Sequence, residues 1–371
     1  MLTEGYDVIV IGGGIVGCAT ALYTARRKRR VLLLEAEHCA RHASGASAGG
    51  IRCLNRLIEE IPLSLAAQEM WPELETDLGF ECGFRATSQI RIAENSADLT
   101  LLEERAELTR SLGFRHEEII DRAELRRLVP AVADNCVGAL LCRKDGYTKP
   151  INTTHAYRKR AQAEGVRILE RHPVEAVNRD GDSWQVRTPH GNFSAEALFN
   201  CAGSWGGRIS SMVGDEAPVQ AAALALMVSD RIEHFIDPVI GVANRKLSLK
   251  QMQNGTVVIG GALRAELTSD HAGTMIDFAQ MRESAKTVRE VFPHLKTVPI
   301  VHAWAGIEGV MPDKLPVIGP SINAPGVFHA FGFSAHGLQL APIVGVVMAD
   351  LLSRGCCEFD LAPFAVERFA T

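Results

Sequence analysis

A strand that runs straight into a glycine turn and a helix constrains this chain more than any other feature. Tyr6 to Ile11 is apolar and strand-like, and Gly12-Gly13-Gly14-Ile15-Val16-Gly17 follows as a G-x-G-x-x-G. Cys18 to Arg27 has helical composition, and "VLLLE" from Val31 is a second strand ending in Glu35. Strand, glycine turn, helix, strand and acid within one compact unit predict a dinucleotide-binding βαβ unit. Gly12 permits the tight turn, Gly14 lets the backbone approach a pyrophosphate, and Gly17 lets helix and strand pack closely. The helix opens at Ile15 and Val16, where free amides and the positive end of the dipole suit phosphates. Glu35, with Ala36 beside it, is placed to accept from ribose hydroxyls. The turn alone does not separate NAD from FAD.

Four later segments bear on that choice. "RHASGASAGGIR", Arg41 to Arg52, is rich in small residues. Ser44 and Ser47 offer hydroxyls to phosphate, and Ala48, Gly49 and Gly50 let backbone approach a flat ring. "HPVEAVNRDGDSWQVRTPHG" reads as strand, hairpin, strand, with Val174 offering backbone groups to an adenine edge. "AEALFNCAGSWGG" is a buried strand opening onto Cys201, Ala202, Gly203 and Trp205. "GVFHAFGFSAHGLQLAPIVGVVMADLL" is a strand, a turn through Gly332, Phe333, Ser334 and His336, and a long helix from Gly337, Leu338 and Gln339. The start of that helix suits negative charge on a reduced flavin ring.

The chain has 371 residues, 47% hydrophobic and 22% charged, the balance of a water-soluble protein with room for two domains. A net charge of −5 disfavours nucleic-acid or membrane-surface binding. The basic run "RRKRR", Arg26 to Arg30, falls at the end of the first helix, where cations suit the dipole. Nine cysteines without paired spacing predict reduced thiols in a cytoplasmic setting and no zinc or iron–sulfur ligation. "QLAPIVGVVMADLLSRG" is short and contains Asp350, which predicts a buried helix over a membrane span.

The turn with Glu35, "SGASAGG", "NCAGSWG" and "PVIG…GFSAHG", in order along nearly the whole chain, resemble the FAD-dependent D-amino acid oxidase superfamily. "SAGGIR", "WAGIEGVMPDKLPVIGPS" and "AFGFSAHGLQLAPIVG" look most like the flavoprotein subunits of heteromeric bacterial amine dehydrogenases: opine oxidases, D-hydroxyproline dehydrogenase and the sarcosine oxidase beta subunit. The resemblance implies an α/β FAD-binding Rossmann-like domain of the glutathione-reductase type, interleaved with a mixed-sheet substrate domain. The first would take 1–85, 147–215 and 300–371, the second 86–146 and 216–299. It implies oxidation of a secondary or cyclic amino-acid amine, with partner subunits carrying FMN or iron–sulfur centres, in the cytoplasm or peripheral to the membrane through those partners. The positions that tether flavin covalently in relatives fall near Gly306 and Lys149–Ile151, so FAD is expected to be noncovalent. A second flavin, FMN, at a subunit interface is expected by analogy alone.

Within "VHAWAGIEGVMPDKLPVIG", relatives often carry a basic carboxylate anchor where this chain has Gly306-Ile307-Glu308-Gly309, and another where it has Gln339. Arg52 and Arg56 are therefore the expected carboxylate anchors, because a guanidinium binds carboxylate through two parallel hydrogen bonds. Glu308 is expected to meet a substrate cation or to form an ion pair. His336 is expected to act at the flavin or simply to hold the turn, and Trp304 to wall the pocket or the core. Gln339 is placed with the substrate contacts, and Lys250 reads as a solvated lysine. The competing readings are a FAD-dependent 2-hydroxy acid dehydrogenase, an NAD-dependent dehydrogenase, and a flavin-binding assembly subunit without turnover.

Overall fold

The computed structural model describes residues 5–269 and 273–370. Its first sheet grows around the strand Gly5–Ile11. That strand lies parallel to Val31–Leu34 on one side and to Gly191–Asn200 on the other. Arg167–Leu169 extends the sheet beyond Val31–Leu34, and Val327–Phe331 extends it beyond Gly191–Asn200, both in parallel. Val317–Pro320 closes one edge antiparallel to Val327–Phe331. The predicted hairpin is present as Ala176–Asp180 and Ser183–Thr188. Parallel strands are covered on both faces, which is why Val31–Leu34 is buried throughout and shows no alternation.

The first helix, Ile15–Arg26, is buried from Ile15 to Ala25 and packs on the final helix, Gly337–Arg354. Gly345 permits that crossing, since a Cβ there would stand 2.7 Å from the Tyr23 ring. The final helix is long and apolar enough to cross a membrane by length and composition, but it packs within the core with two thirds of its residues buried. The basic run is held in ion pairs: Arg26 with Asp77 (2.9 Å), Arg27 with Asp350 (2.5 Å) and Arg30 with Asp7 (3.2 Å).

The second sheet has nine strands and mixed direction. Gln220–Ser229 runs antiparallel to Val257–Leu267 on one side and to Ile300–Val310 on the other. Beyond Val257–Leu267 come Ser248–Gln251, Val239–Val242, Gln89–Ala93, Gly138–Cys142 and Glu118–Asp121. The strand Ile300–Val310, expected with the nucleotide domain, belongs instead to this sheet, so the boundary at 300 moves to its far end. Asn254-Gly255 reads in the sequence as a two-residue hairpin signal, but the strands it joins end at Gln251 and begin at Val257, so it does not form one. The connection runs from Met252 to Thr256, with Gly255 in the left-handed region at φ 89°. A separate apolar core lies under this sheet, built on Ile90, Ile92, Leu141, Leu249 and Ile259, all nearly fully buried.

Candidate active site

One cavity of ≈ 840 Å³ runs from the glycine turn of the first sheet to the inner face of the second. At the nucleotide end, Gly12 sits at φ 111°, and a Cβ there would stand 2.4 Å from the carbonyl oxygen of Cys201. Gly14 lines the cavity opposite Ser44, whose Oγ accepts from the amide of Ile15 (3.0 Å). Gly17 does not line it. A Cβ there would stand 1.9 Å from the carbonyl of Gly12, so its role is close packing of helix on strand. The Glu35 carboxylate is pinned at the strand end by the amides of Gly13 (2.6 Å) and Glu37 (2.8 Å), and it remains in the cavity wall. Val16, Ala36, Val174, Cys201, Ala202, Gly203 and Trp205 complete this end. A glycine cradle that any Cβ would fill, a helix N-terminus and an acid fixed at the ribose position together fit the adenosine and pyrophosphate of FAD.

At the other end the wall is formed by Ser47, Ala48, Gly50, Gly306, Gly332, Phe333, Ser334, His336, Gly337 and Leu338. Gly49 lies just behind it at φ 78°, and Ser47 Oγ accepts from its amide (3.0 Å). Gly306 and Gly309 explain the glycine-flanked acid. A Cβ on Gly306 would stand 2.3 Å from that of Ala46, and one on Gly309 would stand 2.9 Å from the carbonyl of Gly203. The bare backbone lets the strand press against the nucleotide loops, and Glu308 projects into the cavity between them. Ser334 (φ 49°) and Ala335 (φ 74°) are consecutive non-glycine residues in the left-handed region. Such backbone is worth about 1–3 kcal/mol of strain per residue, and the turn is held by Ser334 N–H to Gly309 O (3.0 Å) and Met311 N–H to Ser334 Oγ (3.1 Å).

That turn is what Glu308 grips. Its Oε1 accepts from the amide of Ala335 (2.6 Å), and among the described residues no side-chain cation pairs with it. Burial pushes its carboxyl up to about 7, against the smaller pull of the Ala335 amide. His336 is next in the chain. Burial, with Arg56 and Arg52 nearby, holds its pKa well below the usual histidine range, so the ring is neutral. Nδ1 lies 2.7 Å from Glu60 Oε2, and Nε2 lies 3.3 Å from Arg52 Nη2. A neutral ring satisfies both contacts with the proton on Nδ1, donated to Glu60, and Nε2 accepting from Arg52.

Arg52 and Arg56 both line the cavity, and several of their donors already hold other groups, although Arg56 Nη1 has no hydrogen-bond partner among the described residues and lies 4.0 Å from Glu60 Oε2. Arg52 donates from Nη1 to the carbonyl of Leu54 (2.6 Å) and contacts His336 through Nη2. Arg56 is 2% exposed, donates from Nε to the carbonyl of Arg52 (3.0 Å) and from Nη2 to Gln339 Oε1 (3.3 Å). Burial, and then Arg52, push it down to about 9. Gln339 and Trp304 are not in the cavity wall. Gln339 is buried behind it, its Nε2 donating to the carbonyl of Ser64 (2.8 Å). Trp304 donates from Nε1 to the carbonyl of Ala46 (3.0 Å) and so braces the loop that carries Ser44 and Ser47.

Lys250 departs furthest from expectation. It is 4% exposed, its Nζ lies 4.4 Å from the centre of the Tyr147 ring, and a Cβ on Gly49 would stand 3.2 Å from that Nζ. Burial pushes its pKa down to about 7. The folded state therefore holds fewer protons than the unfolded one between about 7 and the ordinary lysine value, and stability rises with pH through that window. Lys250→Met is expected to stabilise the fold more at pH 6 than at pH 10, by an amount on the order of 3 kcal/mol at the lower pH, and to raise the melting temperature accordingly. Thermal unfolding across that range checks this. The sequence reading also passed over Gln89 and Arg91, which reach the cavity from the second sheet.

A family model described as FAD dependent oxidoreductase (DAO) matches residues 7–351. The chain belongs to that family. Members similar to it include the hydrogen cyanide synthase subunit HcnC of Pseudomonas aeruginosa, 26% identical over 99% of this chain and 97% of that one. The sarcosine oxidase subunit beta of Rhizobium meliloti is 26% identical over 98% and 88%. Among solved structures, glycine oxidase from Geobacillus kaustophilus superposes with a TM-score of 0.89 at 23% identity, over all of both chains. Membership makes the chain a FAD-dependent oxidoreductase, and the DAO fold accounts for a nucleotide sheet interleaved with a larger mixed sheet.

Proposed function

We propose that this chain oxidises a secondary or cyclic amine of an amino acid to an imine, as the catalytic subunit of a heteromeric complex. The observation that carries this is Glu308: a carboxyl with no side-chain cation paired to it among the described residues, pushed up to about 7, set between Gly306 and Gly309 in the wall of the cavity that fits FAD. An amine arrives as an ammonium ion, and this carboxylate is the acid positioned to receive it. Bound FAD supplies the chemistry by accepting a hydride from the carbon next to nitrogen. The nitrogen must be neutral at that moment, and a Glu308 poised near neutral pH takes up and passes on its proton. His336, neutral and clamped between Glu60 and Arg52, fixes the entry to the final helix, whose first amides lie at Gly337 and Leu338. Water then hydrolyses an open-chain imine, whereas a cyclic imine persists.

The similarity to chains named as subunits supports electron transfer to partner subunits. FMN or iron–sulfur centres would belong with those partners, and the complex would be cytoplasmic. Anaerobic mixing of the purified flavoprotein with secondary, cyclic and primary amino acids tests the substrate class. The expected result is bleaching of flavin absorbance at roughly 450 nm by secondary or cyclic amines, at least tenfold faster than by glycine or D-alanine. Bleaching by primary amino acids alone overturns it, and a bound flavin reduced by no amine at all points to an assembly subunit.

A further inference from the structure

The strand Gly191–Asn200 ends in a buried polar residue, and the strand Val327–Phe331 beside it carries another at the matching position. Asn200 and His329 are register partners in this parallel pair, so their side chains stand next to each other on one face of the sheet. Both are buried, and so is Asp215, which follows the helix Gly206–Met212. Apolar side chains would fill this place without stripping water from polar groups. The polar set therefore calls for a reason beyond packing.

Its hydrogen bonds form one chain with a single polarity. Asp215 Oδ1 accepts from the amide and from Nδ2 of Asn323 (3.1 and 3.0 Å), and Oδ2 faces His329 Nε2 at 2.8 Å. Burial pushes this carboxyl up, but the hydrogen bonds from His329 and its neighbours outweigh burial and hold it below the ordinary aspartate value. An ionised carboxylate only accepts, so the imidazole proton sits on Nε2 and Nδ1 is left as an acceptor. Asn200 Nδ2 lies 3.2 Å from Nδ1 and donates to it, and its other hydrogen goes to the carbonyl of Gly206 (2.8 Å). That leaves the amide one orientation, in which Oδ1 accepts from the backbone N–H of Ala202 (3.3 Å). Among the described residues, no polar atom of these three side chains is buried without a partner.

The two backbone contacts of Asn200 straddle the loop assigned to the cofactor. Ala202 and Gly203 line the cavity, and Gly206 begins the helix behind it. The same loop is fastened to the strand of Glu308 through Ser204 Oγ, which donates to the Glu308 carbonyl (3.4 Å). The geometry points to Asp215 and His329 as positioning residues for FAD: through the tautomer of His329 they orient the Asn200 amide, and that amide holds the loop 201–206 against the nucleotide. Neither residue lines the cavity. Reversing the chain at His329 turns Asn200 over, and its Nδ2 then meets the Ala202 N–H, donor against donor. This role concerns cofactor retention and does not depend on which substrate the flavin oxidises.

Asp215→Asn is the discriminating change, because it keeps the shape and removes the polarity. Whichever way the new amide turns, its NH2 group faces either His329 Nε2, which moves the imidazole proton to Nδ1, or the two donors of Asn323. Serial dilution of the FAD-loaded protein, read as the rise of free flavin fluorescence, measures FAD affinity without substrate. Asp215→Asn and His329→Leu are each expected to weaken FAD binding at least tenfold. His329→Gln is expected to stay within threefold of the parent, since glutamine donates to Asp215 from Nε2 and accepts from Asn200 at Oε1. A merely structural role would make glutamine and leucine fail alike. In protein carrying isotope-labelled histidine, the nitrogen resonances that His329→Gln removes are expected to show the proton on Nε2. If Asp215→Asn fails to fold, the comparison of glutamine with leucine and the tautomer still decide. FAD affinity within threefold of the parent in Asp215→Asn overturns the proposal, as do equal losses in His329→Gln and His329→Leu, or a His329 proton on Nδ1.

Discussion

Glu308→Gln is expected to weaken binding of the amine substrate by about thirtyfold to a hundredfold, the equivalent of losing one charge-assisted contact of roughly 2–3 kcal/mol. Glutamine keeps the shape, and its Oε1 still accepts from the amide of Ala335 (2.6 Å in the parent chain). What is lost is the negative charge. A second consequence concerns stability and has the opposite sign. The folded pKa of Glu308 is about 7, above the ordinary carboxyl value. The folded state therefore holds an extra proton between the two values, and stability falls as pH rises through that window. The variant lacks this fall, so without substrate it is expected to be the more stable protein at pH 8 and nearly equal at pH 4. Anaerobic substrate titration and thermal unfolding at both pH values check the two halves. Unchanged affinity together with an unchanged pH profile would return Glu308 to a merely structural place.

Gly12→Ala is expected to abolish FAD retention and to destabilise the fold by more than about 3 kcal/mol. Two effects act at one atom. The residue occupies φ 111°, and the added Cβ would stand 2.4 Å from the Cys201 carbonyl oxygen, which belongs to the backbone and cannot rotate away. Relief requires moving the segment Cys201, Ala202 and Gly203 that follows the strand Gly191–Asn200, all three assigned to the cofactor. Gly165 supplies the control. It also has a left-handed backbone, φ 89°, but a Cβ there meets nothing within 4 Å. Gly165→Ala is expected to lower stability by only about 1 kcal/mol and to leave the flavin-to-protein ratio unchanged. Full flavin content in Gly12→Ala would contradict the cofactor placement.

The parts of the site legible in the sequence are those whose chemistry is local. The turn from Gly12 to Gly17, Glu35 and the final helix each combine a special backbone with its neighbours in a short stretch, and each lies where that stretch implies. The substrate side is assembled from strands distant in the chain, and there local reasoning failed in identifiable ways. Lys250 follows Leu249 and precedes Gln251 in a strand whose last three residues are all buried, so no alternation marks which face is wet. Gln339 falls two positions beyond Gly337, and the helical rotation of about 100° per residue turns it from the cavity toward Ser64. Trp304 shares a strand face with Glu308 but sits four residues away, under the loop that ends at Ala46. The strand Ile300–Val310 follows the helical segments of the second domain and precedes the final βα unit, so either sheet was open to it. Gln89 and Arg91 carry no motif; only pairing of their strand with Val239–Val242 places them over the cavity.

The central claim is that the cavity is built to oxidise carbon next to nitrogen. The most direct measurement is anaerobic flavin reduction by one carbon skeleton in two forms, a secondary amino acid and the 2-hydroxy acid with oxygen in its place. Full bleaching by the amine and none by the hydroxy acid is expected on the same time scale, with the amine rate rising as pH passes about 7, where Glu308 loses its proton. Bleaching by the hydroxy acid alone would contradict it.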